Sequence, residues 1–293
     1  MEWILLAFLS ATLLGFYDVC KKQALKGNAV LPVLFLNTFF CSVIFLPMVM
    51  YAPFGGWEVQ KYIVLKSCIV LSSWVLGYFG MKNLPITLVG PINATRPVMV
   101  LLGALLFFGE SLNLYQWTGV LLAVISFFML KRSGSKEGID FANNRWILCV
   151  VTAAVLGAVS GLYDKYLMAS PADGGVGLNR LTVQSYYNFY QCIMMGVAVT
   201  LLHKRSGKGS PFHWSWAIPL ISIFLSAADF VYFQSLSLDG AMVSVVSMVR
   251  RGSVVVSFLL GALVFHEKNL RSKAVDLLLV LTGMLFLYIG SKG

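Results

Sequence analysis

Apolar residues fall in ten long runs along the chain, separated by clusters that are polar or rich in glycine and proline. Three of these clusters are Lys26-Gly27-Asn28, Pro53-Phe54-Gly55-Gly56 and the stretch 204–211. A transmembrane helix needs about 20 apolar residues, and its backbone must satisfy its own hydrogen bonds. The pattern therefore predicts an all-α polytopic membrane protein with ten transmembrane helices, the spans. They lie near 3–24, 31–52, 62–83, 86–108, 112–131, 146–168, 181–203, 214–237, 240–264 and 270–290.

The longest predicted loop, residues 132–145, separates two halves of five spans each, 1–131 and 146–293. Short motifs recur in the same order in both halves. They are Gly15-Phe16-Tyr17-Asp18 with Gly161-Leu162-Tyr163-Asp164, Tyr78-Phe79 with Tyr232-Phe233, and the stretch 101–105 with 259–263. Because five is an odd number, two homologous halves must insert with opposite orientation, as in many secondary transporters. We expect two inverted five-helix repeats around a central cavity.

The whole chain resembles the drug/metabolite transporter (DMT) superfamily, specifically its ten-helix EamA-like branch. The resemblance rests on the two halves, on the Tyr-Phe pairs, and on Gly109-Glu110 and His266-Glu267, which close spans 4 and 9. It implies a cavity lined mainly by spans 1, 3, 4, 6, 8 and 9, alternating access, and export as the commoner direction. It names no substrate, since the superfamily handles solutes from amino acids and nucleotide sugars to amphipathic cations.

The composition argues against a cytosolic enzyme. Hydrophobic residues make up 58% of the chain and charged residues only 12%, against about 25% charged in soluble domains. We ascribe the net charge of +10 to loop topology and expect no nucleic-acid partner. The five cysteines form no CxxC pair, and no HExxH, P-loop or GxSxG motif occurs. We therefore expect free thiols, no metal, no cofactor and no enzymatic activity.

The loop charges and the family resemblance predict opposite orientations of the protein in the membrane. We count fourteen Lys and Arg residues, including Lys21 and Lys273, with the loops after the odd-numbered spans. Five, including Lys66, are counted with the termini and the other loops. Lys21, Lys66 and Lys273 lie near the approximate span ends and are treated as loop charges. The positive-inside rule then places both termini outside, whereas the family resemblance implies cytoplasmic termini. We follow the charge count as the expectation to be tested.

Ionisable residues inside the spans mark the candidate site, because each costs at least ~2.5–3.5 kcal/mol at the membrane centre. The sequence indicates three acids and three bases at depth, a set that can be electroneutral. They are Asp18, Asp164, Asp229, Arg96, Arg250 and Arg251. Polar and aromatic residues complete the candidates for substrate binding or coupling: Tyr17, Trp74, Tyr78, Asn93, Tyr163, Tyr232 and Ser247.

The arginines and Asp229 each allow two interpretations. Arg96 lies between Pro91 and Pro97, in a stretch where the helix is expected to break, so it either binds a carboxylate or phosphate or pairs with an aspartate of span 1 or 6. We favour Arg250 over Arg251 as the cavity-facing arginine. Asp229 is either a functional group, for proton coupling or for binding an ammonium group, or the counter-ion of one of these arginines.

Other motifs have a structural and a functional interpretation too. The two Tyr-Asp pairs are either gates or helix ends at the membrane surface, where Asp18 and Lys22 have the i, i+4 spacing of a helix ion pair. Gly157 and Gly161 form a GxxxG motif, typical of a close helix crossing. We expect Glu110 and Glu267 to cap the helices that follow them.

The function we expect is secondary transport of a small polar metabolite or drug-like solute, with a lean towards solutes bearing a carboxylate or phosphate. Alternatives are a flippase for lipid headgroups or lipid-linked substrates, marked by a cavity that opens sideways to lipid, and a non-transporting scaffold. Expected partners are membrane lipids, a small solute and possible coupling protons. We expect a multi-pass protein of the cell membrane, most simply the bacterial inner membrane. The sequence leaves monomer and homodimer open.

Overall fold

The computed structural model describes residues 2–108, 112–135, 137–141, 143–206, 211–238, 246 and 249–290. Within these ranges all regular structure is helical. The helices are α1 (Glu2–Leu25), α2 (Val30–Val49), α3 (Gly56–Asn83), α4 (Ile86–Ala94), α5 (Arg96–Phe108), α6 (Leu114–Ser135), α7 (Arg145–Met168), α8 (Arg180–Ser206), α9 (Ala217–Ser237), α10 (Ser253–Phe265) and α11 (Leu270–Gly290). A short 3-10 helix, Pro171–Asp173, lies between α7 and α8.

Each predicted span corresponds to one helix or a broken pair. In the described part of the chain, seven helical stretches are long and apolar enough to cross a membrane, with α4 and the start of α5 counted as one. The other three spans are α8, α9 and the span that contains α10. The all-helical, multi-pass architecture is thus confirmed, while length and composition alone do not establish ten crossings.

The fourth span is broken at Thr95, which separates α4 from α5. Pro97 explains the break, because its ring clashes with the carbonyl four residues before it and it lacks an N–H. The Thr95 hydroxyl donates to the Ile92 carbonyl at 2.7 Å, which satisfies one acceptor at the break. Pro91, by contrast, lies inside α4 without ending it.

The ninth span has a similar interruption beside an arginine. Gly252 precedes α10 in a tight turn, and its N–H donates to the Val249 carbonyl at 2.9 Å. Arg251 therefore comes directly before a break in span 9, just as Arg96 comes directly after the break in span 4. Ser247 and the residues 239–245 lie outside the described ranges.

Helix packing joins the two halves rather than keeping them apart. The most extensive contacts are α1 with α9, α3 with α7, α6 with α11, and α2 with α8. Two further pairs are α1 with α10 and α5 with α7. If each span is replaced by its counterpart in the other half, five spans away, the same set of contacting helix pairs is obtained. The contacts therefore have the symmetry expected of two related halves.

The outer surface of the bundle is apolar. Leu5, Phe8, Leu121, Phe128 and Ile193 each expose more than half of their surface. Such a surface is unfavourable in water but suits a hydrocarbon environment. The polar side chains of the spans lie towards the interior instead, where they line cavities.

Candidate functional site

Two polar cavities meet at Trp74, near the middle of α3. The arginine cavity, of about 160 Å³, lies between α1, α3, the break in span 4 and the break in span 9. The paired-charge cavity, of about 260 Å³, lies between α3, α7, α8 and α9. Trp74 lines both cavities. Together they form a polar path along the bundle interior that this indole divides.

In the arginine cavity, Asp18 pairs with Lys21 rather than with Lys22. Lys21 Nζ lies 2.7 Å from Asp18 Oδ1, and only 10% of the lysine side chain is exposed. The same ammonium lies 4.3 Å from the centre of the Tyr17 ring and 5.5 Å from that of Tyr78. The two tyrosines thus surround a lysine that the sequence analysis had assigned to a loop.

Arg96 has few partners in the arginine cavity. One Nη atom donates to Asn93 Oδ1 at 3.1 Å. Its Nε is buried and has no hydrogen-bond partner in the described structure. The expected pairing with Asp18 or Asp164 does not form, because these two carboxylates bind lysines instead. The guanidinium therefore retains a free donor.

Arg251 also lines the arginine cavity, together with Ser253 and Val254. No carboxylate of the described residues pairs with Arg251. It lies deep among the helices, yet more than a third of its surface is accessible because it borders the cavity. The arginine cavity thus contains three cationic side chains, those of Lys21, Arg96 and Arg251, and one carboxylate, Asp18.

The paired-charge cavity has two cations and two carboxylates, all in ion pairs. Lys66 of α3 binds Asp164 of α7, and Arg250 binds Asp229 of α9. Gln184 Nε2 donates to Asp229 Oδ2 at 3.2 Å. The formal charge of this cavity is zero, in contrast to the excess of cations in the arginine cavity.

Tyr232 and Tyr163 take different places around the paired charges. The guanidinium carbon of Arg250 lies 4.3 Å from the centre of the Tyr232 ring, a cation–π distance. Tyr163 does not line the cavity. Its hydroxyl donates to the carbonyl of Tyr62 at 3.3 Å, and its ring stacks on Tyr166.

Next to Met81, which lines the arginine cavity, hydrogen bonds join several helix ends. Lys22 Nζ donates to the carbonyls of Met81 at 2.7 Å and Leu84 at 2.5 Å. Glu267 accepts the backbone N–H groups of Ile86 at 2.6 Å and Thr87 at 2.9 Å. We call this set of contacts the closed end.

Glu267 therefore caps α4, in the other half of the chain, and not the helix that follows it. The carboxylate carries a negative charge at the positive end of the α4 dipole, and it accepts hydrogen bonds from two N–H groups that have no partner within the helix. Lys273, fully buried, extends the closed end by donating to the Thr87 hydroxyl at 2.9 Å and pairing with Glu137 at 2.8 Å. Glu110 lies outside the described residues.

Comparison with known proteins gives a family match in the first part of the chain. Residues 1–132 match the EamA-like transporter family. This part of the chain is therefore similar to that family. The resemblance to the EamA-like branch of the DMT superfamily is thereby confirmed, and the family consists of transporters rather than enzymes.

Two similar proteins extend the comparison. An uncharacterized transporter from Archaeoglobus fulgidus is 26% identical over 160 residues, which span 51% of this chain and 57% of that protein. A solved structure, described only as a crystal structure of protein, has a TM-score of 0.61 at 13% identity. Its match covers 97% of this chain and 96% of that one, so the fold similarity extends beyond the EamA-like half.

The EamA-like half and the second half both contribute to the two cavities. Of the candidate residues, the arginine cavity is lined by Tyr17, Asp18, Trp74, Tyr78, Asn93, Arg96 and Arg251. The paired-charge cavity is lined by Trp74, Asp164, Asp229 and Arg250. Both adjacent arginines therefore face a cavity, each a different one, whereas the sequence favoured Arg250 alone.

Four buried ionisable residues inside the helices were not predicted from the sequence. Lys21, Lys66 and Lys273 were counted as loop charges, and Asp276 was not among the candidates. Asp276 is fully buried in α11, and neither of its carboxylate oxygens has a hydrogen-bond partner among the described residues. The charges at depth are therefore not three acids and three bases. The Gly55-Gly56 turn could have indicated the position of Lys66. It begins α3 at Gly56, ten residues before Lys66, and so places this lysine well inside the helix.

Proposed function

We propose that the protein is a secondary transporter that moves a small polar solute by alternating access. The observation that carries this proposal is the pair of charged cavities inside the bundle, which share Trp74 as a wall. Charged side chains at membrane depth are costly, and in membrane proteins they mark substrate or ion pathways. A scaffold of packed helices has no use for such a path, so the cavities argue against that alternative.

The architecture we infer is two inverted five-helix halves, residues 1–131 and 146–293, joined by residues 132–145. Two observations support it. The helix contacts map onto themselves when the halves are exchanged, and each half contains one broken span with an arginine at the break. Ten crossings follow if α8, α9 and the span containing α10 also traverse the membrane. Binding near the midplane, at broken helices between repeats, is common in secondary transporters.

The solute class we propose carries a carboxylate or a phosphate. Arg96 and Arg251 offer guanidinium groups that no carboxylate of the described chain neutralises, and guanidinium binds both kinds of anion in a bidentate manner. An anion between them would also reduce the repulsion between these two cations. Trp74 and Tyr78 supply aromatic walls on the opposite side, from α3.

Alternating access then requires the closed end to open. Lys22 and Glu267 hold the ends of α1, α3, α4 and α10 together through backbone groups. Releasing these contacts would connect the arginine cavity to the other side. We propose Asp229 as the coupling carboxylate, because its protonation would release Arg250. The setting we infer is the bacterial inner membrane, with export as the direction.

Ligand-induced thermal stabilisation tests the binding site directly. The purified protein is screened in detergent against amino acids, nucleobases, nucleotide sugars, phosphorylated sugars and lipophilic cations. We expect a carboxylate or phosphate compound to stabilise the wild type and Arg132→Ala, which removes an exposed charge outside the cavities, but not Arg251→Ala. Equal stabilisation of all three proteins would remove the arginine cavity as the site.

Transport itself is tested in proteoliposomes with the compound found, with the compound loaded inside or outside the vesicles. Movement driven from one side, lost in Arg251→Ala and retained in Arg132→Ala, is the expected result. An absence of movement in either direction by a wild-type protein that binds the compound would contradict the transporter proposal.

A further inference from the structure

An apolar groove lies on the outer side of the bundle between α2, α8 and α9. Its volume is about 740 Å³, within the range of pockets that hold a drug-sized ligand. Ile44, Phe45, Met48, Ile223 and Phe230 form most of its wall. Phe230 and Ile223 expose 61% and 50% of their surfaces. The groove thus faces the hydrocarbon of the membrane, unlike the two polar cavities.

Gln184 links this groove to the polar path. Its side chain lines both the groove and the paired-charge cavity. Its amide donates to Asp229 at 3.2 Å. A molecule in the groove therefore lies one side chain away from the charged interior.

Ser226 is a polar residue in the wall of this groove. The residue is only 7% exposed, and its hydroxyl oxygen is buried. That oxygen therefore offers no contact to a ligand in the groove, and Gln184 is the polar side chain that lines both the groove and the paired-charge cavity.

We propose that the groove binds the single hydrocarbon chain of an amphiphilic solute whose phosphate-bearing head passes Gln184 into the polar cavities. The inference rests on the proposed transport function and deepens it by adding an apolar chain to the anion. Charge favours an anionic head, because the arginine cavity beyond Trp74 holds three cations and one carboxylate. The groove supplies what the polar cavities lack, an apolar surface continuous with the membrane.

The test uses lysophosphatidic acid with a photoreactive group on its acyl chain, added to the protein in lipid nanodiscs. Cross-linked peptides are identified by mass spectrometry. We expect labels on α2 and α9, removed by excess unlabelled lysophosphatidic acid but not by excess diacyl phosphatidic acid. Labelling that diacyl lipid removes equally, or that no competitor removes, would identify ordinary boundary lipid and overturn the proposal.

Matched variants separate the groove from the rest of the lipid-facing surface. Ile223→Trp fills the groove, and Val275→Trp adds the same bulk at a position of similar exposure on α11. We expect competed labelling to be lost in Ile223→Trp and kept in Val275→Trp.

The outcomes also distinguish this inference from the proposed function. Suppose that a soluble anion stabilises the wild type but not Arg251→Ala, and that competed labelling by the acyl-chain probe is the same in Ile223→Trp and the wild type. The groove proposal then fails and the transporter proposal stands. If the labelling is competed and depends on Ile223 while no soluble anion binds, the groove proposal stands and the chain is required for binding.

Discussion

The guanidinium of Arg96 packs against the bare backbone of Gly157. A Cβ atom at Gly157 would lie 2.9 Å from Cζ of Arg96 and 3.0 Å from its Nε and one Nη. No real Cβ makes such a contact without displacement of a neighbour. The first glycine of the GxxxG motif in α7 thus provides room for a cavity arginine, in addition to any role in helix packing.

Gly157→Ala should therefore impair the site more than the fold. We expect the added methyl group to displace the Arg96 side chain, and anion binding to weaken by about 10-fold or more as a bidentate contact is lost. Isothermal titration with the compound from the thermal screen measures the change. The protein should still purify as a folded, monodisperse sample, because a side chain rather than backbone must shift.

Gly161→Ala is the matched control for this prediction. A Cβ at Gly161 would lie 3.7 Å from Val100, an ordinary van der Waals contact. Binding should remain within about twofold of the wild type, since nothing in the cavity moves. If both alanine variants weaken binding equally, the motif acts through helix packing and Gly157 has no special relation to Arg96.

The sequence predicted the helices better than the charges because the two depend on different information. Hydropathy locates apolar runs locally, and Pro97 marks the break beside Arg96 without any knowledge of the partners. The pairing of Lys66 with Asp164 joins residues 98 positions apart, so no local pattern reveals it. A charged residue near the end of an apolar run is also readily counted as a loop charge, as Lys21 and Lys66 were, even when the predicted span contains it.

Glu267→Gln should loosen the closed end. The carboxylate accepts two backbone N–H groups of α4, and charge-assisted bonds are about twice as strong as neutral ones. A glutamine keeps the shape but loses the charge and one acceptor. We place a cysteine at Ser253, in the arginine cavity, and add a membrane-impermeant thiol reagent on the side of the membrane where the closed end lies. We expect this cysteine to react about 10-fold faster in Glu267→Gln than in the protein with Glu267.

The reaction is measured after the five native cysteines are replaced, since all are free thiols. Glu58→Gln serves as the control, because Glu58 pairs with Lys61 at an exposed position in the first turn of α3. That variant should leave the labelling rate unchanged. Equal rates for wild type and Glu267→Gln would show that these bonds cap α4 without holding the cavity shut.

A C-terminal reporter tests the orientation. Lys21, Lys66 and Lys273 are buried side chains and no longer count as loop charges. Removing Lys21 and Lys273 from the first group and Lys66 from the second leaves twelve against four, so the asymmetry persists. A cytoplasmically active fluorescent protein fused after Gly293 should stay dark, and alkaline phosphatase at the same site should be active. The reverse pattern would establish the cytoplasmic termini that the family resemblance implies.

Variants of Arg250 and Asp229 test whether their ion pair is needed for transport or only for stability. Only 20% and 15% of these side chains are exposed, and loss of one partner of a buried pair costs up to about 3–5 kcal/mol. We therefore expect Arg250→Ala to insert and purify with a lowered unfolding temperature and no transport.

The double variant Arg250→Met, Asp229→Leu removes both charges and keeps the volume, as in buried pairs elsewhere that apolar residues replace without loss of stability. We expect its unfolding temperature to return to within a few degrees of the wild type, while transport in proteoliposomes stays absent. Asp229→Asn alone should bind the solute but lose the dependence of transport on a pH gradient. Transport by the double variant would contradict the coupling role, because a protein without either charge has nothing left at this position to exchange a proton.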